Sequence, residues 1–229
     1  MTHALRSSIC LTSAPLFLSS PHVQDTFTLI NPIRPGKKLL VLDLDYTLFD
    51  MKGTSEDWRV LKRPGTHRFL TAMYQHYEIV IWSQTSWRWL ELKLTELGIL
   101  THPAYKVCFV LDKTSMFSIH SPDGNGGQRK HHVKCLELIW RRFPASAGGG
   151  AGWSAANTIH VDDLGRNFAL NPQSGLKIAP YKNSDKTRQT DAELKPLGRY
   201  LESIAALPDF TKLDHGAWKK HVANLPPQQ

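Results

Sequence analysis

An α/β fold built on a doubly wound parallel sheet, with a small inserted β-hairpin, is what this 229-residue sequence predicts. Three observations carry the prediction. Short β-branched runs alternate with segments whose apolar residues recur every three or four positions, the mark of parallel strands joined by crossover helices. The first run, KKLLVLDLD (37–45), is apolar at successive positions, as in a strand buried on both faces. That run and NTIHVDD (157–163) both end in acids, at the strand ends where a doubly wound sheet meets its ligands.

Taken in order, the chain opens on an acid-free, Ser-, Thr- and Pro-rich stretch over 1–24. With one arginine and no apolar face it reads as an extension rather than a transit peptide, so 1–25 is placed outside the fold. One domain is expected over 26–222, with 223–229 as a tail. After the first strand, Pro64 marks a helix start, with Phe69, Leu70, Met73 and Tyr77 at helical spacing. EIVIWS (78–83) is a second strand. Trp87, Leu90, Leu94 and Leu97 then define a helical face that Gly98 stops. YKVCFVLD (105–112) is the third strand, and the turn-rich 112–132 an inserted hairpin. Val133, Leu136, Ile139, Trp140 and Phe143 form the next helical face, and AGGGAG (147–152) a flexible loop. NTIHVDD and GLKIAPY (175–181) are the last strands. Leu194, Leu197, Leu201 and Ile204 mark a closing helix, whose first turn Pro196 is expected to interrupt.

Composition excludes several functions. Apolar residues make up 41%, which excludes wholesale disorder, and no apolar run approaches the roughly 18 residues of a membrane span. The three cysteines are too few for a disulfide framework and favour a reducing compartment. A net charge of +8 suits acidic or phosphorylated partners. Nucleic acid is disfavoured, since no basic motif is interleaved with aromatics. His102, His120, His131 and His132, with Cys108 and Cys135, fit no zinc spacing; the two adjacent histidines read as exposed loop. Trp82 and Trp140 read as core. Trp87 and Trp89 lie on different helix faces, so at most one is fully buried.

The chemistry centres on Asp43-Leu44-Asp45-Tyr46-Thr47. Two carboxylates two residues apart at a strand end raise each other's pKa and call for a cation, and oxygen-only ligands suit Mg²⁺. Alone, a D-x-D is more often a pair of solvated acids before a turn. Asp162 and Asp163 at the fourth strand's end, Ser83 at the second's, and Lys134 opening a helix before the fourth bring a metal ligand, a donor and a cation to the same sheet edge.

Together DLDYT, Ser83, Lys134 and the Asp pair resemble the four motifs of the haloacid dehalogenase superfamily. KKLLVLDLDYTLFD, RPGTHRFL, IVIWSQT and VDDLGRNFALNPQSGLKI narrow the resemblance to its Fcp-type protein phosphatases, over about 26–222. The resemblance implies a haloacid dehalogenase-like fold and a Mg²⁺-dependent phosphoserine/phosphothreonine protein phosphatase. Asp43 is then the nucleophile and Asp45 the acid and base. Thr47, Ser83 and Lys134 bind phosphate or orient the loop. Mg²⁺ is held by Asp43, the Asp45 backbone carbonyl and Asp163, with Asp162 positioning Lys134 or a metal-bound water. Arg166 and Asn167 are candidate substrate contacts. It also implies a nuclear location and, as substrates, proteasome subunits or the RNA polymerase II C-terminal domain. About 36 residues precede the first strand, too few for the ubiquitin-like domain that some relatives carry, which puts a proteasome partner in question. Cys135 follows Lys134 where relatives usually carry proline, with only a packing consequence expected. Two alternatives stay open. A small-molecule phosphatase would need a larger cap than 112–132 can build. A non-catalytic phosphatase-like module would not need both Asp43 and Asp45.

Overall fold

The computed structural model describes residues 28–122, 126–144 and 152–227. The extension over 1–25 lies outside them, as does the glycine loop apart from Gly152. In chain order the elements are β1 (Lys38–Leu42), α1 (Trp58–Leu61), α2 (Thr66–Tyr74), β2 (Tyr77–Trp82), α3 (Trp87–Glu96) and β3 (Val107–Leu111). There follow β4 (Phe117–Pro122), β5 (Gln128–Val133), α4 (Glu137–Arg142), β6 (Thr158–Asp162), β7 (Gly175–Lys177), α5 (Ser184–Thr187), α6 (Leu194–Ile204) and α7 (Trp218–Ala223).

Five strands form one parallel sheet in the order β3-β2-β1-β6-β7. The chain therefore winds outward from β1 to β3, then returns to lay β6 on the other side of β1. The order reverses between β1 and β6, which opens the crevice beyond their carboxyl ends. Both sheet faces are covered. Leu40 and Leu42 of β1 point into a core with α2, α3, α6 and α7. Leu39 and Val41 point the other way, onto Leu136 at the start of α4, Ile139 within it, and Trp153. This two-sided burial is why the strands read as unbroken apolar runs.

Several boundaries differ from the sequence reading. Tyr77 opens β2 rather than closing a helix, because α2 ends at Tyr74. Val133 ends β5, and Lys134 sits between that strand and α4, not at a helix start. The inserted hairpin is real but later, with Phe117 paired to Val133 and Pro122 to Gln128. It takes in His131 and His132, which are strand residues rather than loop; His131 meets the Ser121 hydroxyl at 2.8 Å. The last strand is only three residues long. Pro196 does not break α6: it is the third helical residue, where its missing N–H has no intrahelical partner to lose. Trp87 is 43% exposed despite its place in the apolar repeat, and Trp89 is 56% exposed. Trp82 is fully buried; Trp140 is half-buried against the second core and donates from Nε1 to the Thr158 hydroxyl. Gly98 does end α3. At φ +66° it lets Ile99 N–H reach back to Leu94 and its own N–H to Thr95, the paired bonds of a Schellman cap.

Candidate active site

The site starts where β1 runs out. Asp43 still pairs with β6, donating its N–H to the Val161 carbonyl at 3.0 Å. The chain then turns sharply: the Leu44 carbonyl accepts from the N–H groups of Thr47, Leu48 and Phe49. The turn needs Tyr46 at φ 63°, the left-handed region that bulky residues avoid. Its surroundings hold it there. Tyr46 donates to the Phe49 carbonyl at 2.6 Å and accepts from Tyr181 N–H at 2.6 Å, while the Lys182 ammonium lies 4.8 Å from its ring centre.

Behind this loop lies Arg63, 1% exposed. Its fork grips Asp191 through two 2.8 Å bonds, and its third nitrogen donates to the carbonyls of Thr47 and Ala179 at 3.1 and 3.0 Å. The loop that carries Asp43 and Asp45 is thereby tied to the segment after β7.

At the crevice, β5 delivers Lys134, which is wholly buried. Its ammonium bridges Asp43 at 2.6 Å and Asp162 at 2.7 Å. Asp162 is saturated: its Oδ2 also accepts from Asn167 Nδ2 at 2.7 Å, and its Oδ1 from Leu164 N–H at 2.8 Å. Carboxylate oxygens of Asp43, Asp162 and Asp163 lie within 4.8 Å of one another, all three residues buried.

One ammonium among these acids leaves a deficit of positive charge. Burial pushes Asp43 up to about 8, against the pull of Lys134 and with the push of Asp162 and Asp45. Burial, then Asp162, also raises Asp163. For Asp162 burial acts in the same sense, but Lys134 and the neighbouring His160 outweigh it, so Asp162 keeps its charge. The two raised carboxyls are thus those whose oxygens a hard divalent cation would suit; that donor set fits Mg²⁺.

Asp45 faces a different set of donors. Ser83 Oγ donates to its Oδ2 at 3.0 Å and Thr85 Oγ1 at 2.6 Å, while Lys93 Nζ reaches its Oδ1 at 2.5 Å. Beside it lies a cavity of about 330 Å³ whose walls include Phe49, Met51, Trp58, Thr85, Trp89 and Lys93.

The sheet edge therefore brings together Asp43, Asp45, Ser83, Lys134, Asp162 and Asp163. Thr47 is buried, and its hydroxyl forms no hydrogen bond among the described residues. Arg166 is exposed, whereas Asn167 is buried, with its amide nitrogen on Asp162 and its oxygen accepting from Gln84 at 3.2 Å. Lys93, Thr85 and Arg63 were not singled out in the sequence. Lys93 did carry a signal, a charge in the apolar stripe three residues after Leu90.

Residues 38–211 match the family model of the NLI interacting factor-like phosphatases. Among curated proteins, the ubiquitin-like domain-containing CTD phosphatase 1 of Danio rerio is 44% identical over 194 residues, and that of Homo sapiens 45% over 195. Each alignment covers 85% of this chain, which spans only 58% of the relatives' length. Among solved structures, the fission yeast RNA polymerase II CTD phosphatase Fcp1 bound to beryllium fluoride is 14% identical, with a TM-score of 0.47 over 75% of this chain and 63% of that one. The family match begins on the first residue of β1, continues beyond the last sheet strand and takes in every residue at the crevice. It agrees with the resemblance carried by DLDYT, Ser83, Lys134 and the Asp pair, and the chain belongs to the NLI interacting factor-like phosphatases.

Proposed function

We propose that this chain is a Mg²⁺-dependent protein serine/threonine phosphatase that works through an aspartyl-phosphate on Asp43. The observation that carries the reading is the buried ammonium of Lys134 bridging Asp43 and Asp162 beside Asp163. So many buried acids around one cation are costly unless a dianion and a divalent cation complete the charge balance.

In the first step an Asp43 oxygen attacks phosphorus and the bond from phosphorus to the seryl or threonyl oxygen breaks, the leaving oxygen taking a proton from Asp45. In the second, water attacks the aspartyl-phosphate, gives its proton back to Asp45, and the bond from phosphorus to the Asp43 oxygen breaks. Lys134 and the Ser83 hydroxyl bind the phosphoryl oxygens in both steps, and Thr47 orients the loop. Asp162 and Asn167 hold Lys134 in place. Mg²⁺, on the Asp43 and Asp163 carboxylates and the Asp45 backbone carbonyl, would neutralise phosphate charge. Arg166, exposed next to Asn167, is left as a substrate contact.

A phosphoprotein substrate is favoured over a small phosphate ester. The inserted hairpin is two short strands rather than a covering domain, and the cavity beside Asp45, with Trp89 on its wall, can take a side chain next to the phosphoresidue. The relatives are named CTD phosphatases, and the resemblance to Fcp-type phosphatases makes the RNA polymerase II C-terminal domain the first substrate class to test and the nucleus the first compartment; proteasome subunits follow from the same resemblance.

The test is hydrolysis of p-nitrophenyl phosphate and of a phosphoserine peptide with and without Mg²⁺, in wild type and Asp43→Asn. Activity should need Mg²⁺ and vanish in the variant. Undiminished turnover by Asp43→Asn removes the nucleophile, and preference for free sugar phosphates over the peptide removes the protein substrate.

A further inference from the structure

Lys93 is a lysine where the packing of α3 asks for an apolar residue. It lies on the buried side of the helix with Leu90 and Leu94 and is only 3% exposed. A buried ion pair contributes little net stability compared with apolar residues of similar volume. A leucine or methionine at this position would complete the stripe, so fold stability does not account for the lysine.

What the lysine does have is a fixed ammonium. Its Nζ lies 3.1 Å from Met51 Sδ, 5.4 Å from the Phe49 ring centre and 2.5 Å from Asp45 Oδ1. Thr85 Oγ1 holds the other carboxylate oxygen at 2.6 Å and is itself 3.5 Å from Lys93 Nζ. Ser83 is the third donor to Asp45, but on the reading above its hydroxyl turns to the phosphoryl group when substrate arrives. Lys93 and Thr85 are then the two groups left to fix the carboxyl.

We propose that Lys93, assisted by Thr85, is a positioning residue that holds the Asp45 carboxyl in the orientation from which it hands its proton to the seryl or threonyl oxygen. The inference rests on Asp45 being the proton donor, and the experiment separates the two ideas. p-Nitrophenolate leaves without a proton, whereas a seryl alkoxide does not. With enzyme in excess over substrate and Mg²⁺ present, the rate of alcohol release reports the first step alone. Lys93→Met, which keeps the stem's packing, is compared with wild type and Asp45→Asn on p-nitrophenyl phosphate and on a phosphoserine peptide.

General acid catalysis contributes about 10²–10⁴-fold, so Asp45→Asn should lose that much on the peptide and little on the nitrophenyl ester. Lys93→Met should show the same split at smaller size, at least about 10-fold on the peptide and under about 3-fold on the ester, since a misplaced donor forfeits part of that factor. A merely structural role would slow both substrates alike. If Asp45→Asn slows both equally, the proton-donor reading falls. If Asp45→Asn splits them and Lys93→Met does not, the positioning role of Lys93 is overturned. Should Lys93→Met fail to fold, Thr85→Val is put through the same comparison, and the absence of a split there overturns the proposal.

Discussion

Replacing Arg63 with methionine keeps much of the side chain's volume and removes its fork. The change deletes two bonds to Asp191 and two to the main-chain carbonyls of Thr47 and Ala179. Asp191, only 14% exposed, is left with an unpaired charge. Breaking a buried pair from one side costs about 3–5 kcal/mol, most of it the stranded partner. For a chain of this size each kcal/mol moves the melting temperature by about 2–4 °C, so the expected fall is roughly 6–20 °C. Urea unfolding of wild type, Arg63→Met, Asp191→Asn and the double variant closes a cycle. The double variant should be less damaged than the sum of the singles. A loss under about 1 kcal/mol for Arg63→Met, or strict additivity, would refute the view that this fork anchors the loop carrying Asp43 and Asp45.

Two further outcomes follow from local geometry. A Cβ on Gly175 would sit 2.4 Å from Phe168 Cγ, so Gly175→Ala must displace a ring packed beside the turn that carries Asn167. A loss of about 1–3 kcal/mol in thermal or urea melts, with reduced phosphatase turnover, is the expected result, and a neutral melt would contradict it. His67 is held down to about 4 by burial and by the charges of Lys62 and His102. The unfolded chain therefore takes up this proton at a higher pH than the folded one, and the His67 contribution, complete above pH 6.5, is lost as pH falls toward 4. His67→Gln should reduce the loss of stability between those two pH values by about 1 kcal/mol, after allowing for the screening at a partly exposed ring. Parallel pH profiles for the two proteins would contradict this.

The sheet was legible because its strands are buried on both faces, which turns each of them into an apolar run with little helical competition. The crevice was legible for the same reason: Asp43, Asp45, Asp162 and Asp163 are acids set directly against those runs. Boundaries such as Tyr77 and Val133 were not, since a residue at the joint of helix and strand satisfies both periods and only the chain's turning decides between them. Trp87 is the first residue of α3, a turn ahead of Leu90, the first of the helix's residues to be buried. Arg63 and Lys93 were hidden more deeply. Arg63 opens RPGTHRFL and Lys93 interrupts an apolar stripe, but what either does lies in a partner 128 or 48 residues away. Only the fold supplies that distance.

The two halves of the sheet also set how much of the chain the crevice needs. Lys134 and Asp162 follow Asp43 by 91 and 119 residues, and the pairing of β6 with β1 is what sets Asp162 beside it. A polypeptide that stops short of β6 therefore cannot build the Asp43–Lys134–Asp162 bridge.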